Sequence, residues 1–313
     1  MLNPPSYLTK SRYAAGMQCG RCLWDLVHDP VAHDAPTPGP AAAVGAMIGR
    51  FAWQLFPGGI LVDAAPWEHA AAERRTRELM ANPDVPALFE AAFTYDNIRV
   101  RVDVLERVAG GGWGLREVKS ATAVDDDILD DVALQFSVLV DSGIAVESVE
   151  VLHIDDTYVR RGGEIDWHGL FRRQDVLEAA RGRVVGIRER VRFLFGLLNG
   201  DSRPDAEPWR ECTRDFACEF WARCTATKPK DWIIQLPRLR ADQRDALAAA
   251  GYEAIGAIPA DWPLNATQHR VREVVASNEP FVSRDLWKAL RTAGPPTFYL
   301  DFTTSVSGLN NGM

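Results

Sequence analysis

The chain has 313 residues, of which 47% are hydrophobic and 25% charged, the composition of a folded globular protein. No apolar run approaches the roughly 20 residues that a membrane-spanning helix needs. A formal net charge of -8 excludes nucleic-acid binding through overall positive charge, while a local basic stripe stays compatible with it.

The opening MLNPPSYLTKSRYAAGMQ has no continuous apolar segment between its prolines and charges, so no secretory leader is expected and the expected compartment is the cytoplasm. Residues 6–28 are predicted to form one helix after a Ser or Thr cap, broken by DPVAHDAPTPGP. A second helix, AAAVGAMIGRFAWQLF, stops at Pro57, Gly58 and Gly59, and a third, charged helix covers about 66–81. From Ala91 to Val108 the chain turns strand-like. After Gly110, Gly111 and Gly112 a second strand runs from Trp113 to about Ser120, which makes a hairpin by its turn chemistry.

DDDILDDVALQFSVLVDSG then starts on acidic caps, carries apolar residues at helical spacing and ends at a glycine; SVEVLHID follows as a strand. Strand, hairpin, helix and strand predict a mixed α/β core with helices packed on its sheet. Residues 174–199 form the longest helix, with Val184, Val191, Phe195 and Leu198 on one side. Arg181, Arg188 and Arg192 lie within roughly 40 degrees of each other on it, a basic stripe that is either a solvated edge or a phosphate contact. Beyond Trp232 come short helices punctuated by glycine and proline, the pattern of a separate small helical unit.

Glu117 and Lys119 flank one valine in WGLREVKSAT and so share a strand face. If the turn is centred near Gly110, Asp103 lies opposite Glu117 and Arg101 opposite Lys119. Asp103, Glu117 and Lys119 then converge on one side, with Val100, Val102, Val104, Arg116 and Val118 on the other. Two adjacent carboxylates repel unless a cation or proton sits between them, and hard oxygen donors suit Mg²⁺ or Mn²⁺. With a lysine to orient water or offset developing negative charge, these are the parts for metal-assisted phosphodiester hydrolysis.

The five cysteines fall as a CxxC, Cys19 and Cys22, and as C-x5-C-x5-C at Cys212, Cys218 and Cys224. An odd count in a reducing compartment favours metal binding, catalysis or burial over disulfides. Four thiols would serve zinc or a [4Fe-4S] cluster equally well, so chemistry alone leaves both open.

DVL, a glycine turn and LREVKSAT resemble the active-site hairpin of PD-(D/E)xK nucleases of the RecB type, and MQCGRCLW with CEFWARC resembles the paired ends of the iron-sulfur members of that class, which include CRISPR-associated exonucleases and AddB-type helicase-nuclease subunits. The resemblance implies a restriction-endonuclease-like mixed sheet flanked by helices, with a cysteine-bound cluster lobe. It assigns the catalytic metal to Asp103, Glu117 and the carbonyl of Val118, the attacking water to Lys119, a supporting role to Gln135, and a structural [4Fe-4S] cluster to Cys19, Cys212, Cys218 and Cys224. Two family features are absent: Gly49 stands where an early helix often carries histidine, and Val138 or Leu139 stands where Gln135 usually has a tyrosine partner.

LTKSRYAAGMQC, FPGG, EAAFTYDNIRVRVDVL, HIDDTYVRRGGEID and PPTFYLDFTT further resemble bacterial proteins that join this domain to a C-terminal RNase H-like, DEDD-type exonuclease domain. Asp301 is kept and Thr303 replaces a glutamate ligand of that second domain, and too few residues follow Pro296 to form it. The expected organisation is a nuclease domain over 1–230, a small helical region over 231–295 and a truncated start over 296–313. The expected activity is a Mg²⁺- or Mn²⁺-dependent deoxyribonuclease acting on single strands or ends, with DNA as partner, protein partners unassigned and no membrane. The alternatives are a catalytically decayed nucleic-acid-binding module of the same fold and a zinc-stabilised α/β protein without a nucleic-acid role.

Overall fold

The computed structural model describes residues 7–30, 40–209, 212 and 218–292. Asp301 and Thr303 lie outside them. The chain divides into two compact units, the first ending at Ala206 and the second beginning at Glu207.

The first unit is α/β, a seven-stranded mixed sheet flanked by helices. Its elements are β1 (Leu8–Thr9), α1 (Lys10–Gln18), α2 (Gly20–His28), α3 (Pro40–Ala52), β2 (Ile60–Leu61), α4 (His69–Met80), β3 (Ala87–Tyr95), β4 (Ile98–Arg107), β5 (Trp113–Lys119), α5 (Asp126–Asp141), β6 (Val146–Ile154), α6 (Trp167–Leu170), β7 (Phe171–Asp175) and α7 (Leu177–Leu198). The strands run in the order β2-β3-β4-β5-β6-β7, and β1 pairs with β4 off this path.

Two expectations need correcting in this region. The helix expected over 6–28 is two helices, because Cys19 adopts an extended backbone (φ -161, ψ 119) and serves as the C-cap of α1 and the N-cap of α2. The α1 start is capped by Thr9, whose side chain accepts from the Arg12 N–H. The strand-like run from Ala91 to Val108 is two antiparallel strands joined at Asp96 and Asn97, both in the left-handed region (φ 44 and 60) that a two-residue hairpin turn requires. Short β1, β2 and β7 carry too little periodicity to be read from sequence.

The β4–β5 ladder pairs Val104 with Arg116 and Leu105 with Leu115, in line with the expected register, but the expected Asp103–Glu117 and Arg101–Lys119 pairs do not form. It ends at Val104, and β5 continues beside β6 in parallel as far as Lys119 opposite His153. Farther back along β4, β1 pairs instead, Leu8 with Ile98 and Thr9 with Arg99. Between these two pairings β4 and β5 diverge into a fork.

Within the β3–β4 ladder the Glu90–Asp103 pair is missing between Phe89–Val104 and Ala91–Val102, and Glu90 holds a left-handed φ of 59. The sheet changes sides there. Val100 and Val102 pack into the main core with Leu105, Leu115 and the buried face of α5, whereas Val104 and Val118 pack with Phe89, Leu152 and Ile48 of α3. The expected single apolar face of Val100, Val102, Val104 and Val118 is therefore split. Arg116, only 3% exposed, is ion-paired to Glu106 at 2.8 Å and Glu150 at 3.0 Å.

Asp125 caps α5 by accepting from the Ile128 N–H, and the helix buries Val132, Leu134, Gln135, Val138 and Leu139. Along α7 the buried side is Ala180, Ile187, Val191, Leu194 and Leu198, with Val184 and Phe195 partly buried beside it.

The described part of the second unit contains α8 (Trp221–Thr225), α9 (Ala241–Ala249), α10 (Ala266–Ser277) and α11 (Leu286–Thr292). Trp232, Ile233, Leu236, Leu239, Leu247, Ile255 and Ile258 form its own core. Asn265 caps α10 by accepting from the backbone N–H groups of Thr267 and Gln268.

Candidate active site

The fork places charged side chains from four elements together. Lys10 opens α1 directly after the last residue of β1. Asp103 comes from β4, Glu117 and Lys119 from β5, and Asp131 and Gln135 from one face of α5. The Asp103 carboxylate accepts from the Val118 N–H at 2.8 Å, bridging the strands just past the end of their ladder.

Glu117 is 1% exposed and is held on several sides. Lys10 Nζ donates to its two oxygens at 3.0 and 3.2 Å, Lys119 Nζ lies 2.7 Å from Oε1, and the Gln135 amide donates to Oε2 at 2.7 Å. Lys119 also contacts Asp131 at 2.6 Å, and Lys10 reaches Asp131 at 3.4 Å. Buried Gln135 Oε1 has no hydrogen-bond partner among the described residues.

Electrostatics separates the two central carboxylates. Burial alone would raise the Glu117 pKa, but Lys10 and Lys119, aided by the Gln135 hydrogen bond, hold it well below the usual carboxylate range. Asp103 has no such pair of ammonium contacts. Burial first, and then the Glu117 charge, push it up to about 8. Burial and Glu117 likewise raise Asp131 and Glu90, while the surrounding carboxylates outweigh burial and raise both lysines.

These groups border a cavity of about 460 Å³ whose lining includes Gly49, Arg50, Glu90, Asp103, Glu117 and Lys119. Apart from its chain neighbours and its own helix backbone, no atom lies within 4 Å of where a Cβ on Gly49 would stand, so α3 leaves open space there.

Asp103 and Glu117 offer hard oxygen donors suited to a divalent cation, as a pair of carboxylates rather than a group of three. Asp103, Glu117, Asp131 and Glu90 stand around the ammonium groups of Lys10 and Lys119, and burial with the Glu117 charge pushes the Asp103 carboxyl up to about 8. Its raised pKa has a definite sign in stability. The protonated form stabilises the fold in full below the unfolded value near 4, and that contribution is lost as pH rises through about 8. Thermal unfolding in chelator should therefore show a smaller loss of Tm between about pH 5 and 8 for Asp103→Asn than for wild type, by at least ~4 °C. An equal loss in both proteins would contradict this account of Asp103.

The cysteines divide between the units. Cys19 is half-buried at the α1–α2 junction, and Cys22 is buried in α2. Cys212 is buried in the second unit, where the Cys218 N–H donates to the Cys212 carbonyl at 2.9 Å and the Cys224 N–H to the Phe220 carbonyl. Thiols in this number would serve zinc or a four-iron cluster alike. Among the described residues, no three His, Cys, Asp or Glu side chains are grouped so that they could hold a metal ion.

Of the arginine stripe on α7, Arg181 is paired to Glu178 at 2.7 Å and Arg188 to Asp141 at 2.6 Å, Arg192 is exposed, and none lines the cavity. Sequence reasoning assembled Asp103, Glu117, Lys119 and Gln135 but missed Lys10, Glu90 and Asp131. Asp131 was within reach, since it lies one helical turn before Gln135. Lys10 joins the site only through the docking of β1 and had no local signal.

No protein-family model matches the chain, and no curated protein matches it in sequence. Among the described residues no helix is long and apolar enough to cross a membrane.

Proposed function

We propose that the first unit is a metal-dependent DNA nuclease of the PD-(D/E)xK type. The observation that carries this reading is the meeting of Asp103, Glu117 and Lys119 at the rim of one cavity, with Gln135 bonded to Glu117. Asp103, Glu117 and the Val118 carbonyl would hold Mg²⁺ or Mn²⁺. When bound, such an ion supplies Lewis-acid polarisation of the phosphodiester and a more acidic water.

The chain's own groups do the rest. Gln135 fixes the orientation of Glu117, and Lys10 and Lys119 keep it anionic. The Lys119 ammonium is placed to orient water and offset negative charge that develops on the phosphoryl oxygens. Hydrolysis joins the water oxygen to phosphorus, and the leaving oxygen departs with a proton. The proposal extends to a restriction-endonuclease-like core and a structural [4Fe-4S] cluster on Cys19, Cys212, Cys218 and Cys224.

The test is anaerobic purification, iron and sulfide analysis, then incubation with end-labelled single- and double-stranded DNA in Mg²⁺ or Mn²⁺. Metal-dependent product supports the reading; intact substrate with either ion overturns the enzyme claim. Zinc in place of iron would overturn the cluster assignment alone.

Open space at Gly49 and the aliphatic Val138 and Leu139 favour a second reading, a nucleic-acid-binding module that has lost turnover. Binding without cleavage in the same assay would select it.

A further inference from the structure

Strand β4 carries Arg99, Arg101 and Asp103 at alternate positions, with buried Val100 and Val102 between them. Residues two apart on a strand are about 6.8 Å apart, so the two guanidinium groups form a ladder of positive charge leading to the acidic centre.

Neither arginine has a carboxylate in ion-pair reach among the described residues. Arg99 lies over the Tyr7 ring, 3.8 Å from its centroid, and Arg12 lies 4.4 Å from the same centroid. Arg101 donates to the Ala64 and Ala65 carbonyls at 2.9 and 2.8 Å, which fixes the guanidinium without neutralising it. It acts electrostatically on Glu90, which lines the cavity. Nearby His69, which is buried, has its pKa lowered first by burial and further by Arg99 and Arg101. Trp67, two residues beyond Ala65, is 84% exposed. On α7, Arg181 and Arg188 are neutralised by acids, whereas no ion pair is formed by Arg99 or Arg101 on β4 among the described residues.

The geometry points to a track for single-stranded nucleic acid along β4: Arg99 and Arg101 hold successive backbone phosphates, Trp67 stacks an unpaired base, and the strand is led toward Asp103. This inference rests on the nuclease reading and names its substrate path. A backbone-following row of cations beside an exposed aromatic is what sequence-tolerant single-strand binding uses. A protein partner offering an acidic peptide would use the cations but not require the aromatic.

The experiment measures anisotropy of a labelled single strand, its duplex and a poly-glutamate peptide against salt concentration, in chelator, with the full chain. Arg99→Gln/Arg101→Gln should lower the slope of log affinity against log salt by about 1.4 and weaken single-strand binding roughly 25-fold near 0.1 M salt. Trp67→Ala should weaken single-strand binding at least about fivefold with the slope unchanged. Arg101→Lys keeps the charge and should recover the slope, which separates phosphate contact from lost packing against Ala64 and Ala65.

Wild-type binding with unchanged Arg99→Gln/Arg101→Gln and Trp67→Ala affinities overturns the track and leaves the nuclease reading standing. Preference for poly-glutamate, or for the duplex with no effect of Trp67→Ala, also overturns it. A wild-type protein that neither binds nor cuts nucleic acid overturns both.

Discussion

Replacing Lys119 with alanine is expected to lower metal-dependent DNA cleavage by about 10²–10³-fold while leaving single-strand affinity within about threefold. The reason is positional. Lys119 Nζ sits between Glu117 and Asp131 at 2.7 and 2.6 Å and lines the cavity, so a group entering there meets its charge. A preorganised donor aimed at developing charge contributes on that scale in a site shielded from water. Glu117 keeps Lys10 on both oxygens, so the fold should survive the change. Cleavage kinetics on a labelled strand, with anisotropy as the binding control, decide it. Unaltered cleavage would reduce Lys119 to a structural ion-pair partner.

The second large effect is expected at Lys10→Met. Burial opposes the Lys10 charge, and Asp131, Glu117 and Asp103 outweigh that opposition, so the ammonium and its acids stabilise one another. Removing Lys10 takes away the ammonium that contacts both Glu117 oxygens and leaves Lys119 alone against Glu117 and Asp131, at a cost of about 3 kcal/mol. In a unit of this size that is a fall in Tm of ~6–12 °C. Methionine preserves much of the apolar stem, so the loss reports the ammonium rather than packing. A divalent cation should restore more stability to the variant than it adds to wild type, because it replaces the missing positive charge beside Glu117. Thermal unfolding in chelator and in Mg²⁺ measures both quantities. A fall under ~2 °C would mean that Lys119 alone suffices to stabilise Glu117.

The parts of this architecture that could be read from sequence share a physical property: they are set by local chemistry. The turn at Gly110 and Gly111 sets the hairpin register, which brings Asp103 just past the ladder's end onto the Val118 N–H, and Asp125 caps α5 so that Gln135 reaches Glu117. What escaped depends on partners distant in sequence. Lys10 and Glu117 are 107 residues apart, and nothing near Lys10 signals an acidic partner. The change of sides at Glu90 was hidden because an apolar alternation predicts a face only while every residue keeps extended dihedrals. The two-residue β1 and β2 are shorter than any periodicity can reveal.

The docking of β1 has a consequence for how the protein loses function. Two residue pairs attach that strand to β4, whereas β3 and β4 are joined along almost their whole length. Elements with few pairings open at a lower free energy than the unit as a whole. Release of β1 withdraws Lys10 from Glu117 while the other six strands stay paired, so the charge balance of the centre is tied to the fraying of one short arm. Under denaturant or heat, such a centre fails ahead of its scaffold, and hydrogen exchange at Leu8 would track competence more closely than the global unfolding midpoint.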